Sequence, residues 1–331
     1  MANGEHSLDG FLGGLRAVAE PSRLRLLAVC AHGEWTVSEL VQVMGQSQPR
    51  ISRHLKVLAD AGLLERFREG SWAFYRRASS GAGAGLVRRL IELLPEVDSQ
   101  LTLDRHRLQA VREARRQQAE RWFDQRAEGW DSERDLGVDG SRVEAALAAM
   151  LATEPARSVI DIGTGTGRML QIMAPHIESG LGLDRSRDML AIARAQLDQR
   201  ELRHCQVRQG DMYQLPFKDG SFAAALLHQV LHFADDPLAV LTEAERILEP
   251  GGRLIVADLA QHDQVWLRTD RFHRRLGFSP SEMSGWFERL GLVEQTPTKL
   301  SGDELSVIIW VARDRRRVDG RSRDEDRRDA A

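Results

Sequence analysis

The stretch Asp161-Ile162-Gly163-Thr164-Gly165-Thr166-Gly167 sets a carboxylate ahead of three glycines at every second position. Glycines allow a tight turn and let a ligand come close to backbone. Downstream, GLGLD ends on Asp184, with Arg185 next and Met189 at helical distance; GDM holds Asp211 and Met212. Asp184 can accept hydrogen bonds from both hydroxyls of a ribose, Met189 can pack on an adenine face, and Asp211 can accept from an exocyclic amine. Each acid alone would serve equally well as a helix cap; three of them behind one glycine loop argue for a nucleoside. Dinucleotide sites carry GxGxxG, whereas here the spacing is GxGxG and Arg168 stands where the last glycine would fall. No pyrophosphate need be accommodated, so the nucleoside is one carried without phosphates. LLHQVLHF adds His228 and His232; His228 fits a general base or a side chain that only shapes the pocket.

A second constellation lies near the start. In SQPRISRHLKVLADAGLL, Ile51, Leu55 and Leu58 repeat at i, i+4 and i+7, the inner face of a helix stopped at Gly62. Arg53 and Lys56 fall on the opposite side, with Arg50, Ser52 and His54 flanking them and Ser47 and Gln48 at the start. Leu40, Val43 and Met44 give the preceding helix its buried face. Two strands follow, joined at Glu69-Gly70-Ser71 and carrying Arg66, Arg68, Arg76 and Arg77. A helix-turn-helix with a basic hairpin beside it reads DNA in the groove and grips the phosphate backbone. A charge run alone would be a solvated surface; the buried triplet, the open basic face and the basic hairpin together favour DNA.

The elements that must position these groups divide the chain. Residues 1–98 form the winged helix-turn-helix, and residues 99–140 a long charged helix leading into WFDQRAEGWD. That helix is weakly amphipathic through Leu108, Val111 and Ala114. From 141 to 313 strands alternate with helices: SVIDI, SGLGLD, CQVRQG, FAAALL, RLIVADL, a segment near Val293, and ELSVIIWVA. That order predicts an α/β fold with a doubly wound, mostly parallel sheet, whose ligands bind at the carboxyl ends of the strands. Residues 314–331, mixed in charge and poor in apolar residues, are expected to be disordered.

The 331 residues are 42% apolar and 29% charged with a net charge of −3, which excludes a uniformly basic nucleic-acid coat. No apolar run reaches the roughly 18 residues of a membrane span, and the first ten residues carry no export signal, so a cytoplasmic protein is expected. Cys30 and Cys205 sit in apolar segments and are expected to be buried and reduced.

SRHLKVLADAGLL with its arginine-rich hairpin resembles the ArsR family of winged-helix repressors over the first 98 residues. The resemblance implies a homodimer built on the first and last helices of that domain and a double-stranded operator with an inverted repeat. Family members that sense soft metals carry a CxC pair where this chain has Thr36 and Ser38, and the last helix offers no His for the family's second site. Hydroxyls are poor ligands for soft ions, and His32 stands alone, so no metal is expected. VIDIGTGTG, GLGLD, GDMYQLPF and LEPGGRLIVAD, in that order, resemble the class I S-adenosylmethionine-dependent methyltransferases across residues 141–313. That resemblance implies a Rossmann-like sheet of seven strands, the last antiparallel. It implies a nucleoside site of Asp161, Gly163, Thr164, Gly165, Gly167, Asp184, Arg185, Met189, Asp211, Met212 and His228. Asp161 would face the methionine amino group. WFDQRAEGWD would be a lid, with Trp122 and Trp130 either excluding water or packing in the core.

The methyl acceptor is narrowed by exclusion. Amino methylation of a DNA base uses an Asp/Asn-Pro-Pro-aromatic motif, and HQVLHF is unlike it. Cytosine methylation needs a Pro-Cys nucleophile, but Cys30 follows Val29 and Cys205 follows His204. Arsenite methylation uses several thiolates. A small molecule remains, or no acceptor at all. The expected function is therefore a repressor that takes S-adenosylmethionine or S-adenosylhomocysteine as its effector. By resemblance it would control methionine or methyl-cycle genes. The alternative is a working small-molecule methyltransferase whose winged helix controls its own operon.

Overall fold

The computed structural model describes residues 8–69, 72–78, 81–95, 97–124, 140–270 and 273–315. The chain divides into two compact units, Met1–Gln118 and Ala119–Ala331. The wing's Gly70-Ser71 turn, the expected lid from Gln125 onward, the Trp122 side chain, Trp130 and the charged tail from 316 lie outside the described residues.

The first unit runs α1 (Leu8–Val18), α2 (Pro21–Cys30), β1 (Trp35–Thr36), α3 (Val37–Met44), α4 (Gln48–Asp60), β2 (Leu64–Glu69), β3 (Trp72–Arg77) and α5 (Gly81–Glu92), and α6 (Ser99–Asp124) begins in it and runs past Gln118. Local chemistry sets the turn between α3 and α4. Thr36 and Glu39 form a reciprocal capping box at the start of α3, and Gly45 ends it at φ 63°. Ile51, Leu55 and Leu58 are fully buried against Leu40, Val43 and Met44, as their spacing predicts. The hairpin gains a third strand that the sequence pattern does not show, because β1 pairs antiparallel with β3. Trp35, fully buried, anchors that strand and donates its indole N–H to the Val29 carbonyl at 3.1 Å.

The unit continues past the expected boundary at residue 98. Helix α6 packs Leu108 and Val111 into the winged-helix core, and Asp104, 2% exposed, pairs in bidentate fashion with Arg25 at 2.6 and 2.7 Å. Ala114, expected on the buried stripe, is exposed; Arg115, at i+4 from Val111, takes that place. Its guanidinium bonds Glu39 at 2.5 and 2.7 Å and the Glu34 carbonyl at 2.9 Å, and lies 4.5 Å over the Trp35 ring.

The second unit contains α7 (Gly140–Thr153), β4 (Ala156–Ile162), α8 (Arg168–Met173), β5 (Ile177–Asp184), α9 (Arg187–Gln199) and β6 (Cys205–Gln209). It continues with β7 (Phe222–His228), α10 (Pro237–Arg246), β8 (Leu248–Leu259), α11 (Trp266–Asp270), α12 (Pro280–Arg289), β9 (Leu292–Glu294), β10 (Thr298–Ser301) and β11 (Ser306–Asp314). The sheet order is β10-β11-β8-β7-β4-β5-β6, parallel from β8 to β6. β11 runs antiparallel to β8, as the last strand was expected to. The outer position is shared by two short strands, since β9 pairs with the end of β11 and β10 with its start. Pro297 falls between them and cannot donate to a ladder. Successive residues of the central strands face opposite layers: Val159, Leu226 and Ile255 one, Ile160, Leu227 and Val256 the other. Both faces are covered, so these strands read as unbroken apolar runs.

Candidate functional site

β4 is the topological switch of the sheet: the chain moves outward through β5 and β6, then returns to β7 on its other side. Crevices at such points take ligands, and the glycine loop stands there. Gly163, Gly165 and Gly167 have φ of 76°, 54° and 74°. A side chain at Gly163 would overlap Val230 at 2.3 Å, whereas the space over Gly165 is open. The first glycine is therefore held by packing; the second leaves room at the apex. Gly163 and Thr164 donate backbone N–H groups to the Leu183 carbonyl at 2.7 and 3.0 Å, which ties the loop to the end of β5.

Asp184 ends β5 with each carboxylate oxygen engaged once, Oδ2 by the Gly165 N–H at 2.9 Å and Oδ1 by the Ser186 N–H at 2.7 Å. Both oxygens keep accepting capacity. Asp161 is 1% exposed and accepts from the Thr164 hydroxyl at 2.6 Å. Burial pushes its carboxyl up to about 7, the Asp184 charge adds to the rise, and the Thr164 bond opposes it. Arg185 is exposed and Met189 half-buried beyond it. Asp211 is exposed at the end of β6 and accepts from the Tyr213 N–H at 3.0 Å; Met212 is half-buried on the neighbouring core. The acids at the ends of β4, β5 and β6 thus share one edge of the sheet. Arg246 on α10 orders the loop behind Met212, reaching the Leu215 and Phe217 carbonyls, Glu243 and Asp219. Nothing in the sequence pattern singles out that arginine, because its partners other than Glu243 lie 27 to 31 residues away.

His228 ends β7, half-buried, beside Ala257 on β8. Gln229 follows at φ 51°, a left-handed conformation uncommon outside glycine. Beyond it His232 is 2% exposed, its Nδ1 2.7 Å from Oδ1 of Asp258, which is fully buried. Burial alone would raise the Asp258 carboxyl; the His232 imidazole and the Leu259 and Leu231 N–H groups hold it below its ordinary value. The acid at the end of RLIVAD is legible in the same way as those ending β4 and β5, yet its histidine partner is set only by the neighbouring strand.

On the first unit, Ser47, Gln48, Arg50, Arg53 and Lys56 are exposed along α4 and Ser52 is half-buried. His54 turns toward Glu20, 3.7 Å away. Burial lowers its pKa, Glu20 opposes the fall, and Arg23, Arg50 and Arg53 add to it. Arg66, Arg68 and Arg77 point outward from the hairpin. Arg76 corrects the expectation. It is 5% exposed and ion-pairs with Glu34 at 3.1 Å and Glu65 at 2.5 Å, so it braces the sheet and is withdrawn from the phosphate-facing set. Strand alternation explains this, since Arg76 and Arg77 must face opposite sides. Cys30 and Cys205 are buried free thiols, and burial pushes Cys205 up to about 12. Among the described residues no group of three or more His, Cys, Asp or Glu is placed to hold a metal ion, and no helix is long and apolar enough to cross a membrane.

Residues 18–66 match the family of helix-turn-helix domains, and residues 160–256 the family of methyltransferase domains. The chain is 31% identical over 158 residues to the uncharacterized protein YafE of Escherichia coli, covering 46% of this chain and 76% of that protein. It is 34% identical over 185 residues to the arsenite methyltransferase of Aquipseudomonas alcaligenes, covering 47% and 51%. The crystal structure of YcgJ from Bacillus subtilis aligns over 51% of this chain and 98% of its own, at 20% identity and a TM-score of 0.45. YafE apart, the chain spans 32% to 52% of the length of the first curated relatives it matches.

Proposed function

Because the chain belongs to the proteins that join an ArsR-type helix-turn-helix domain to a methyltransferase domain, we propose that it is a transcriptional repressor. Its second unit would bind S-adenosylmethionine or S-adenosylhomocysteine as the effector, with methionine or methyl-cycle genes as the targets. The observation that carries this reading is Asp184, which ends β5 with accepting capacity on both oxygens beside an open glycine apex. The residues fit the nucleoside: Asp184 for the ribose hydroxyls, Asp161 for the amino group, Asp211 and Met212 for the base, with Arg185 and Met189 bordering it. When bound, S-adenosylmethionine would supply a methyl group on a positively charged sulfur.

The first unit supports the DNA half of the reading. Arg50, Arg53 and Lys56 face solvent on α4, and Arg66 and Arg68 on the hairpin. Two such units in a homodimer would place their α4 helices about 34 Å apart, one turn of DNA. The likeness to an arsenite methyltransferase does not bring arsenite to this chain, since its two cysteines are buried, one in each unit.

The test is direct. Duplexes are first selected from a random pool by the protein, and affinity for them is then measured without nucleoside and with each of the two. An effector shifts that affinity by about 5- to 150-fold. Operator affinity indifferent to both nucleosides would overturn the reading and leave the methyltransferase alternative in its place.

A further inference from the structure

Three loops at the ends of β7, β8 and the return segment after α11 converge on one imidazole. His232 gives Nδ1–H to Asp258, and its carbonyl accepts the Arg274 and Arg275 N–H groups at 3.0 and 3.1 Å. Its ring lies against His273 at 4.1 Å and Phe233 at 4.2 Å between centroids. The Asp258 carboxylate is held in turn by the N–H groups of Leu231, His232 and Leu259. A carboxylate only accepts, so it fixes the tautomer with the proton on Nδ1 and leaves a lone pair on Nε2. Nε2 of His232 has no hydrogen bond among the described residues.

A second group in the cluster is its complement. His262, just beyond β8, accepts the Gln264 N–H on Nδ1 at 3.1 Å, so its proton resides on Nε2. That Nε2–H is buried and has no partner among the described residues. Burial lowers the His262 pKa, a charge on His232 would add to the fall, and Asp263 opposes it. The acceptor on His232 Nε2 suits a hydroxyl, which can donate one bond to it.

We propose that His232, positioned by Asp258, takes the proton from a hydroxyl-bearing methyl acceptor, a small phenol or enol, at the β7–β8 end of the crevice. This rests on the reading that the unit binds the sulfonium nucleoside, and it adds an activity to that effector role. Only acceptors with a proton to lose need such a base, and an imidazole matches the acidity of phenols and enols far better than that of alkyl alcohols. Phe233, 44% exposed beside the imidazole, offers an aromatic ring for the acceptor to stack on. In the step, the acceptor oxygen bonds to the methyl carbon as the carbon–sulfur bond breaks. The bonding pair stays on sulfur and discharges it. The hydroxyl proton passes to Nε2, and the imidazolium faces the Asp258 carboxylate. Charge is conserved, one cation replacing another. Among the described residues, the titratable and charged groups around His232 are Asp258 and His262 from the β8 side, with Asp263 beyond. His228 ends β7, and His273 stands on the return segment beside the Arg274–Asp235 pair.

The test needs no turnover. Full-length protein with saturating S-adenosylhomocysteine is titrated with 4-nitrophenol at a pH below the phenol's solution pKa. Saturable growth of the phenolate absorption band is expected, together with protonation of His232 Nε2 seen by histidine-selective 15N NMR on the unmutated protein. His232→Gln should still bind S-adenosylhomocysteine by calorimetry and lose the band, and Asp258→Asn should weaken it. A phenol that stays neutral, binding that does not saturate, a band that survives His232→Gln, or an unchanged His232 nitrogen signal each overturns the proposal. Failure to bind S-adenosylhomocysteine in the unmutated protein would instead overturn the ligand reading beneath it.

Discussion

Asp184 and Asp161 are neighbours in opposite surroundings. Asp184 is a half-exposed acceptor, and a hydrogen bond to a charged group is worth about 1.5–3 kcal/mol. Asp184→Ala should therefore weaken S-adenosylhomocysteine by about 10- to 150-fold in calorimetry, and an unchanged affinity would remove Asp184 from the site. Asp161 is buried with its carboxyl pushed up to about 7, first by burial and then by Asp184. Its folded value lies above its unfolded one, so its contribution to stability is present in acid and is lost as pH rises through about 7. Ligand binding runs the other way if the ionised form faces an ammonium group. Affinity should climb up to about tenfold from about pH 6 to about pH 8, and Asp161→Asn should flatten that climb while raising the melting temperature at the alkaline end. Both acids were legible in the sequence, because acids at the ends of successive strands behind one glycine loop argue for a ligand where each alone would serve as a helix cap. The difference between them was not, since burial depends on what packs above each strand.

At the level of elements, the work of holding DNA divides, on the proposed reading, between α4 and the hairpin. Arg53→Ala and Lys56→Ala should relax sequence preference; Arg66→Ala and Arg68→Ala should weaken all sequences alike and flatten the salt dependence. Fluorescence anisotropy over a salt series separates the two. Arg76→Ala belongs to neither class, because it strands Glu34 and Glu65 beside an emptied site. Loss of one partner of a buried pair costs about 3–5 kcal/mol, so denaturant melting, rather than a salt slope, should register it. Helix α6 is the other element with a stated task. Arg115 clasps the Thr36–Glu39 capping box that starts α3, over the face of Trp35, and α6 leads in sequence toward the methyltransferase domain. If that clasp carries the effector signal, Arg115→Ala should leave both ligands binding singly and shrink the effect of each on the other. Full coupling in Arg115→Ala would show that the signal travels another way.

For the whole molecule, linkage sets a strict demand: operator DNA must change nucleoside affinity by the same factor as the nucleoside changes operator affinity. Measuring both arms tests the regulator reading without knowledge of its target genes. Soft metals should have no such effect. The positions where related repressors carry thiolates are Thr36, whose hydroxyl is used in the α3 cap, and Ser38. Release of DNA by micromolar arsenite, cadmium or zinc in a gel-shift assay would show a sensor elsewhere.

The amino-acid sequence alone determined what depends on short spacing. The buried triplet of α4 and the glycine loop each follow from neighbours within a few residues, where periodicity and backbone freedom act directly. The acids ending β4, β5 and β6 belong with them. The tertiary structure decided what depends on partners far along the chain. It turned Arg76 inward onto Glu34, 42 residues away. It extended the first unit through Asp104 and Arg25, 79 apart, and split the outer strand around Pro297. It also set Asp258 against His232, 26 residues earlier in the chain and one strand away. A residue type shows that a charge is present; only the strand packed beside it decides whether that charge meets water, a counter-ion or a ligand.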